Sequence, residues 1–252
     1  MDDSDHIEHY RTDAETFNYQ QPPDSPTGLI ERRRAGFIRR LLGKEILQPG
    51  ARILDVGAGG GILLMELARA GIRPIGLDIA HLNLKKISDL IKREAKPSCH
   101  LVNGDAYSLP FGSGALDAVI FSEVLEHLEK PRDALSEAAR VLKKGGKLVI
   151  TVPYREKIVY HLCIHCNRLT PSNAHLHSFD ETAMDKLLED LPFSVIKRTY
   201  FHNKLLHLLG IPHRLRSLPH IFWHWPDRAV NLITRKPFYY ALAARKEGDD
   251  SG

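Results

Sequence analysis

Cysteine is scarce in this chain: Cys99, Cys163 and Cys166 are the three in 252 residues. Three are too few for a disulfide framework, so a cytoplasmic setting is the expectation. No run of about 18 apolar residues occurs, and the sequence therefore predicts no membrane-spanning helix. The opening Met1-Asp2-Asp3-Ser4-Asp5 is acidic and has no apolar core, unlike a secretory signal. The formal net charge of +4 is too small to argue for nucleic acid by itself. There is no helix-turn-helix, zinc-finger array or RNA-binding aromatic signature, so no nucleic-acid partner is expected. Tryptophan occurs only twice, at Trp223 and Trp225, within one segment.

With 43% hydrophobic residues, the chain suits one main domain with room for an appendage. That domain is organised around Ile53-Leu54-Asp55-Val56-Gly57-Ala58-Gly59-Gly60-Gly61. This stretch reads as a buried strand, a glycine turn and the start of a helix. Glycine lets a ligand approach the backbone, and the helix N-terminus offers free N–H groups. Asp55 lies at the strand's end, where it accepts from a ligand amine or orders the turn.

The pattern around this motif is regular. A helix is expected over Leu29–Leu47, with Arg32, Arg33, Arg34, Arg39 and Arg40 mostly on its wet face. Strands are expected over residues 51–56, 73–78, 98–103, 116–121 and 147–152. Helices over 61–70, 82–95 and 131–142 fall between them, with Gly71 as a C-terminal stop and Pro131 as a helix start. Such alternation predicts an α/β, Rossmann-like, doubly wound sheet covered on both faces. Ligands of these sheets bind at the carboxyl ends of the strands. Asp55, Asp78, Asp105 and Glu123 all fall there, and Asp78 lies about 20 residues beyond the glycine turn, where ribose hydroxyls are bound.

The spacing discriminates between cofactors. A dinucleotide fingerprint wants a third glycine where Ile62 stands, which disfavours a nicotinamide-dependent oxidoreductase. No Gly-Lys-Ser/Thr follows, which excludes a P-loop. Repeated acidic strand ends suit a cationic ligand without phosphate, such as S-adenosylmethionine.

Four phrases then carry a family resemblance: Asp-Val-Gly-Ala-Gly-Gly-Gly at 55–61, Gly-Asp-Ala-x-x-Leu-Pro-Phe at 104–111, Glu-Val-Leu-Glu-His-Leu at 123–128 and Arg-Val-Leu-Lys-Lys-Gly-Gly-Lys-Leu at 140–148. Together they resemble the class I S-adenosylmethionine-dependent methyltransferases, in particular the quinone-biosynthesis group with a type 11 methyltransferase domain. The resemblance covers residues 30–155 and implies a mostly parallel seven-stranded sheet whose last strand is antiparallel. It also implies roles. Gly57, Gly59 and Gly61 would approach the methionine part, with Asp55 near its amino group. Asp78 would hold the ribose, Asp105 and Ala106 the adenine, and Ser122 and Glu123 would line the methionine side. His127 is a candidate general base, with a structural role as the alternative. A protein that binds the cofactor without transfer is the other alternative to an enzyme.

Three segments lie outside that core. Residues 1–27 read as a loose arm or, through Tyr10, Phe17 and Tyr19, as a lid; the methyltransferase domain proper would span 28–252. The loop at 158–178 holds Cys163, Cys166, His175 and His177, with His161 and His165 alongside. Cys-x-x-Cys followed by His-x-His matches a tetrahedral zinc knuckle, and a polar substrate-facing loop is the alternative. Between strands expected at 193–201 and 238–245 lies an insert at 202–236, rich in leucine and tryptophan. It carries Lys204, Arg214, Arg216, Arg228, Arg235 and Lys236 against the single acid Asp227. It reads as a helical lid or a dimer contact, or as a surface for peripheral membrane contact and a lipid-like acceptor. Prolines 212, 219 and 226 argue against a long helix there.

Overall fold

The computed structural model describes residues 10–12, 14–17, 19–22, 25–93, 98–162, 167–214 and 220–248. Helix α1 (Pro26–Leu42) starts where Ser25 accepts from the Gly28 amide at 3.0 Å and Pro26 follows as the first helical residue. It ends against Lys147, a buried lysine on the sheet. The Lys147 Nζ donates to the carbonyls of Leu41 and Leu42 at 3.2 and 2.7 Å, placing a cation on the negative end of the helix.

The sheet strands are β1 (Ile53–Val56), β2 (Ile75–Asp78), β3 (His100–Asn103), β4 (Leu116–Ser122) and β5 (Leu142–Pro153). A separate two-stranded ladder joins β6 (Tyr160–Leu162) to β7 (Leu169–Pro171). The last pair, β8 (Phe193–Asn203) and β9 (Pro237–Lys246), returns to the main sheet. The order is β3-β2-β1-β4-β5-β9-β8 across seven strands. Neighbours are parallel except at β9, which runs antiparallel to both β5 and β8. The fold class and the reversed last strand expected above are both present. The strand order changes direction between β1 and β4, the position where open α/β sheets bind ligands.

Both faces are covered because neighbouring residues of one strand serve opposite layers. On β4, Leu116, Val119 and Phe121 join one core, and Ala118 and Ile120 join the other. The first layer includes α4 (Pro131–Val141) and α5 (Glu181–Leu188), the latter capped by Asp180 onto the Ala183 amide at 3.0 Å. The second contains α1 and α2 (Ile62–Arg69), with Phe37 stacked on Phe201 at 4.5 Å. Helix α3 (His81–Arg93) lies on β2 and β3, and Ile87 packs with Leu64 and Ala58.

The insert after β8 is helical: α6 (Lys204–Leu208), α7 (Ile211–Arg214) and α8 (His220–Thr234). Pro226 sits inside α8, so the expectation that proline forbids a long helix here is corrected. The helix is held by tertiary bonds that outweigh the one lost with proline's N–H. Buried Asp227 accepts from the His202 and Asn203 amides at 2.8 and 2.7 Å, and Asn203 donates to Asn231 and Thr234 at 2.6 and 2.7 Å. Among the described residues no helix is long and apolar enough to cross a membrane.

Candidate active site

The glycine turn is shaped by backbone conformations that side chains rarely take. Gly57, Gly59 and Gly61 have φ of 71°, 50° and 77°. A Cβ on Gly57 would stand 2.6 Å from the Val124 side chain, and one on Gly61 would stand 2.9 Å from Ile87. The turn therefore presents bare backbone at the N-terminus of α2, where helix amides lack intrahelical partners.

The predicted acidic residues gather at this edge. Asp78, at the end of β2, accepts from the Gly59 and Ala80 amides at 2.9 Å each and from Asn83 at 3.4 Å. These donors oppose the burial that raises its pKa. Asp55 is buried at the end of β1, and desolvation lifts its carboxyl to about 8 against the attraction of Arg34. Asp105 follows β3 and holds its own loop by accepting from the Tyr107 amide at 2.9 Å, while Ala106 packs on the core. Ser122 closes β4 with its hydroxyl 3.2 Å from Thr151 Oγ1.

Glu123 begins the loop beyond β4 with a φ of 58°, a conformation uncommon outside glycine. Its carboxylate accepts from Thr151 at 2.9 Å and faces Arg34 at 3.8 Å. Burial raises its pKa, opposed chiefly by that arginine. A short 3-10 turn, Leu125–His127, then places Glu126 wholly inside the protein. Neither Glu126 side-chain oxygen has a hydrogen-bond partner. Its pKa is pushed well up, by burial first and then by the Glu123 charge.

His127 stands edge-on to the His175 ring at 4.7 Å and to Tyr10 at 6.2 Å. His175 pairs through Nδ1 with Glu156, whereas the His177 Nε2 lies 2.8 Å from the Leu128 carbonyl oxygen. The two histidines expected to share a zinc knuckle thus turn to different partners. Cys163, Cys166 and His165 lie outside the described residues, and His161 is exposed on β6.

An N-terminal segment lies over this edge. Tyr10 donates to the His127 carbonyl at 2.7 Å, Gln20 to the Lys86 carbonyl at 2.8 Å, and Lys86 to the Ala14 carbonyl at 3.0 Å. The Tyr19 carbonyl oxygen would be 2.3 Å from a Cβ on Gly60.

Sequence reasoning missed Arg34, Glu126, Thr151 and Glu156. Arg34 was readable: it shares a helical stripe with Ile30, Phe37, Ile38 and Leu41, so it faces inward. Arg33 is buried too, which corrects the wet-face expectation; Arg32 and Arg40 are the exposed members of the set. Glu126 lies within the phrase at 123–128 without having been assigned a part, and Thr151 and Glu156 join the site through contacts distant in sequence.

Comparison with known proteins adds a set of likenesses. Residues 54–150 match the family model described as Methyltransferase domain. The chain is 39% identical over 102 residues to a demethylmenaquinone methyltransferase of Renibacterium salmoninarum, covering 40% of this chain and 41% of that protein. It is 34% identical over 131 residues to a ubiquinone biosynthesis O-methyltransferase of Xanthomonas oryzae, covering 50% and 54%. The chain thus spans about half the length of the curated relatives it matches. Among solved structures, a 1,6-didemethyltoxoflavin-N1-methyltransferase of Burkholderia thailandensis, bound to its substrate and S-adenosylhomocysteine, superposes with a TM-score of 0.64. That likeness, at 18% identity over 97% of this chain and 90% of that one, is one of fold.

Proposed function

We propose that this protein is an S-adenosylmethionine-dependent methyltransferase whose acceptor is a quinone-type or other lipid-like small molecule. The observation that carries the reading is the tie between the Asp78 carboxylate and the Gly59 amide, at the edge shared by Asp55, Asp105, Ser122 and Glu123. The residues present fit that cofactor. Bare glycine backbone gives close approach, carboxylates oppose its amino and sulfonium charges, and no phosphate-binding lysine motif accompanies the turn.

When bound, the cofactor offers an electrophilic methyl group on sulfonium sulfur. The protein's own residues contribute orientation and exclusion of water. Gly57, Gly59 and Gly61 hold the methionine part with Asp55, Ser122 and Glu123, while Asp78 takes the ribose and Asp105 with Ala106 the adenine. The arm at residues 1–27 serves as a lid, and its described part rests on Gly60 and His127. Fixing two reactants in line supplies much of the acceleration in such transfers.

Two observations favour a lipid-like acceptor. The matched relatives are named for demethylmenaquinone and ubiquinone biosynthesis. The helical insert exposes Leu208, Trp225, Leu232 and Ile233 beside Lys204, Arg228, Arg235 and Lys236, the composition of a surface that rests on anionic lipid from the cytoplasmic side. The test is calorimetric titration of S-adenosylmethionine, followed by methyl transfer from labelled cofactor to a reduced demethylquinone. Absence of cofactor binding, with tight binding of NAD, would overturn the reading.

A further inference from the structure

The side-chain rows that β4 and β5 send toward the layer of α1 and α2 change character at the carboxyl edge. Ala118 and Ile120 on β4 and Val149 on β5 belong to that core, and the period of two brings Ser122 and Thr151 next in the same rows. The two are register partners on neighbouring strands. Thr151 is wholly buried, where valine would fill the same space with no polar group to satisfy. Its hydroxyl is satisfied by Glu123, donating to Oε1 at 2.9 Å, and the Glu123 amide donates to the Thr151 carbonyl at 2.9 Å. One threonine thus holds Glu123 by backbone and side chain together. Glu123 has a φ of 58°, a conformation that persists in a non-glycine residue where neighbours over-determine it.

Counting protons gives this chain of groups a direction. Burial raises the Glu123 pKa, while Arg34, 3.8 Å from Oε2, and the Thr151 hydroxyl on Oε1 favour the ionised form. A cationic ligand at this edge adds its charge to theirs and leaves the carboxylate an acceptor only. Threonine has one hydroxyl proton, and here it is committed to Glu123. The 3.2 Å contact between Ser122 Oγ and Thr151 Oγ1 is then a bond in which Ser122 donates. With that proton turned toward Thr151, the Ser122 oxygen keeps its lone pairs for a ligand. The end of β4 therefore offers acceptors and negative charge, and no side-chain donor from Ser122 or Glu123.

We propose that Thr151 is a positioning residue: through Glu123 and Ser122 it sets acceptor atoms and a negative charge at the cofactor's edge, so that the site favours the sulfonium cation over the neutral product S-adenosylhomocysteine. The chain next to Glu123 touches the glycine turn, since the Val124 side chain stands where a Cβ on Gly57 would reach. The inference rests on the methyl-transfer reading, which supplies the ligand. In that reaction the acceptor's electron pair forms the new bond to the methyl carbon, and the acceptor's proton leaves to solvent. The carbon–sulfur pair stays on sulfur, so the sulfonium becomes a neutral thioether while the α-ammonium is unchanged. The charge that Glu123 and Ser122 are set to meet is thus lost on transfer, which loosens the product relative to the methyl donor.

The experiment is calorimetric titration of the purified full chain with S-adenosylmethionine, S-adenosylhomocysteine and sinefungin, which carries an amine-bearing carbon in place of the sulfonium. In Thr151→Val, affinity for the two cations is expected to fall about fivefold or more, and for S-adenosylhomocysteine by at most about twofold. Thr151→Ser, which keeps the hydroxyl, is expected to restore the wild-type ratio of cation to thioether binding. Glu123→Gln is expected to shift that ratio in the same direction as Thr151→Val. Circular dichroism checks that each variant folds, and Thr151→Ala replaces a valine variant that does not. Equal losses for all three ligands overturn the proposal and leave Thr151 a structural part only. So does a ratio unmoved in Thr151→Val or in Glu123→Gln, or one that Thr151→Ser fails to restore; in each case the wild type still binds the cofactor and the methyl-transfer reading stands. A wild-type protein that binds none of the three overturns that reading, and this inference with it.

Discussion

The Asp78 carboxylate accepts a hydrogen bond from the Gly59 amide at 2.9 Å, and so ties the end of β2 to the turn that follows β1. The same carboxylate takes the Ala80 amide at 2.9 Å. One side chain thus shapes two loops at once. Asp78→Ala is expected to weaken S-adenosylmethionine binding at least tenfold and to lower stability by about 1–3 kcal/mol, since both amides lose their acceptor. Calorimetry and urea unfolding read the two effects. An unchanged cofactor affinity would remove Asp78 from the binding site.

Arg34 and Glu123 form a second such link, at 3.8 Å with both side chains 16% exposed. Removing the cation leaves a desolvated carboxylate with Thr151 as its remaining donor. Arg34→Ala is expected to cost about 1–3 kcal/mol, less than for a wholly buried pair because some solvent reaches both groups. In the double-mutant cycle with Glu123→Gln, the second change should cost less once the first is made. Strict additivity would mean that the pair does not interact.

The Gly60 position tests the lid. A Cβ there would stand 2.3 Å from the Tyr19 carbonyl oxygen. Gly60 is not among the positive-φ glycines, so alanine suits its own backbone and the clash falls on the arm. Gly60→Ala is expected to speed proteolytic cleavage within residues 10–25 and to weaken cofactor binding several-fold. Equal cleavage rates in both proteins would mean that the arm does not close on the turn.

His202 supplies a pH dependence. It is buried beside His207, with Arg33 and Arg34 nearby and Asp227 on its backbone amide, and burial lowers its pKa from 6.5 to about 3. The unfolded chain then binds a proton below pH 6.5 that the folded chain refuses until about pH 3. Stability from this group is present above pH 6.5 and is lost as pH falls toward 3. By pH 5 the loss is about 2 kcal/mol. Urea unfolding of wild type and His202→Gln at pH 7.5 and 5 measures it; the same acid sensitivity in both would exclude His202.

The exposed face of the insert gives a last prediction. Leu232 and Ile233 are 71% and 82% exposed on α8. Co-sedimentation with anionic vesicles is expected at low salt, to fall as salt rises, and to drop several-fold in Leu232→Glu/Ile233→Glu. Equal pelleting of the variant would assign this face to something other than lipid.

Much of the fold was legible because its signals are local. The α/β alternation and the glycine turn each sit within a few residues, and all five strands expected through residue 152 are present, although β5 begins at Leu142, earlier than expected. The strand-end acids were legible for the same reason, since a parallel sheet brings every strand's carboxyl end to one edge. Pro226 shows the limit. Its local preference is against helix, yet α8 runs through it because Asp227 and Asn231 anchor that helix to the end of β8.

By itself, then, the sequence determined the sheet, the turn and which acids stand at its edge, all consequences of backbone preference and residue period. Only the tertiary structure decided the partners: Arg34 with Glu123, the segment around Tyr19 over Gly60, and His175 beside Glu126 and His127. His175 and Glu126 are separated by helix α4, strand β5 and the two-stranded ladder, so their meeting depends on how the later loop docks. Side-chain pairs of that kind carry no local signature. They arise where desolvation forces buried polar groups to find whatever the folded chain brings near.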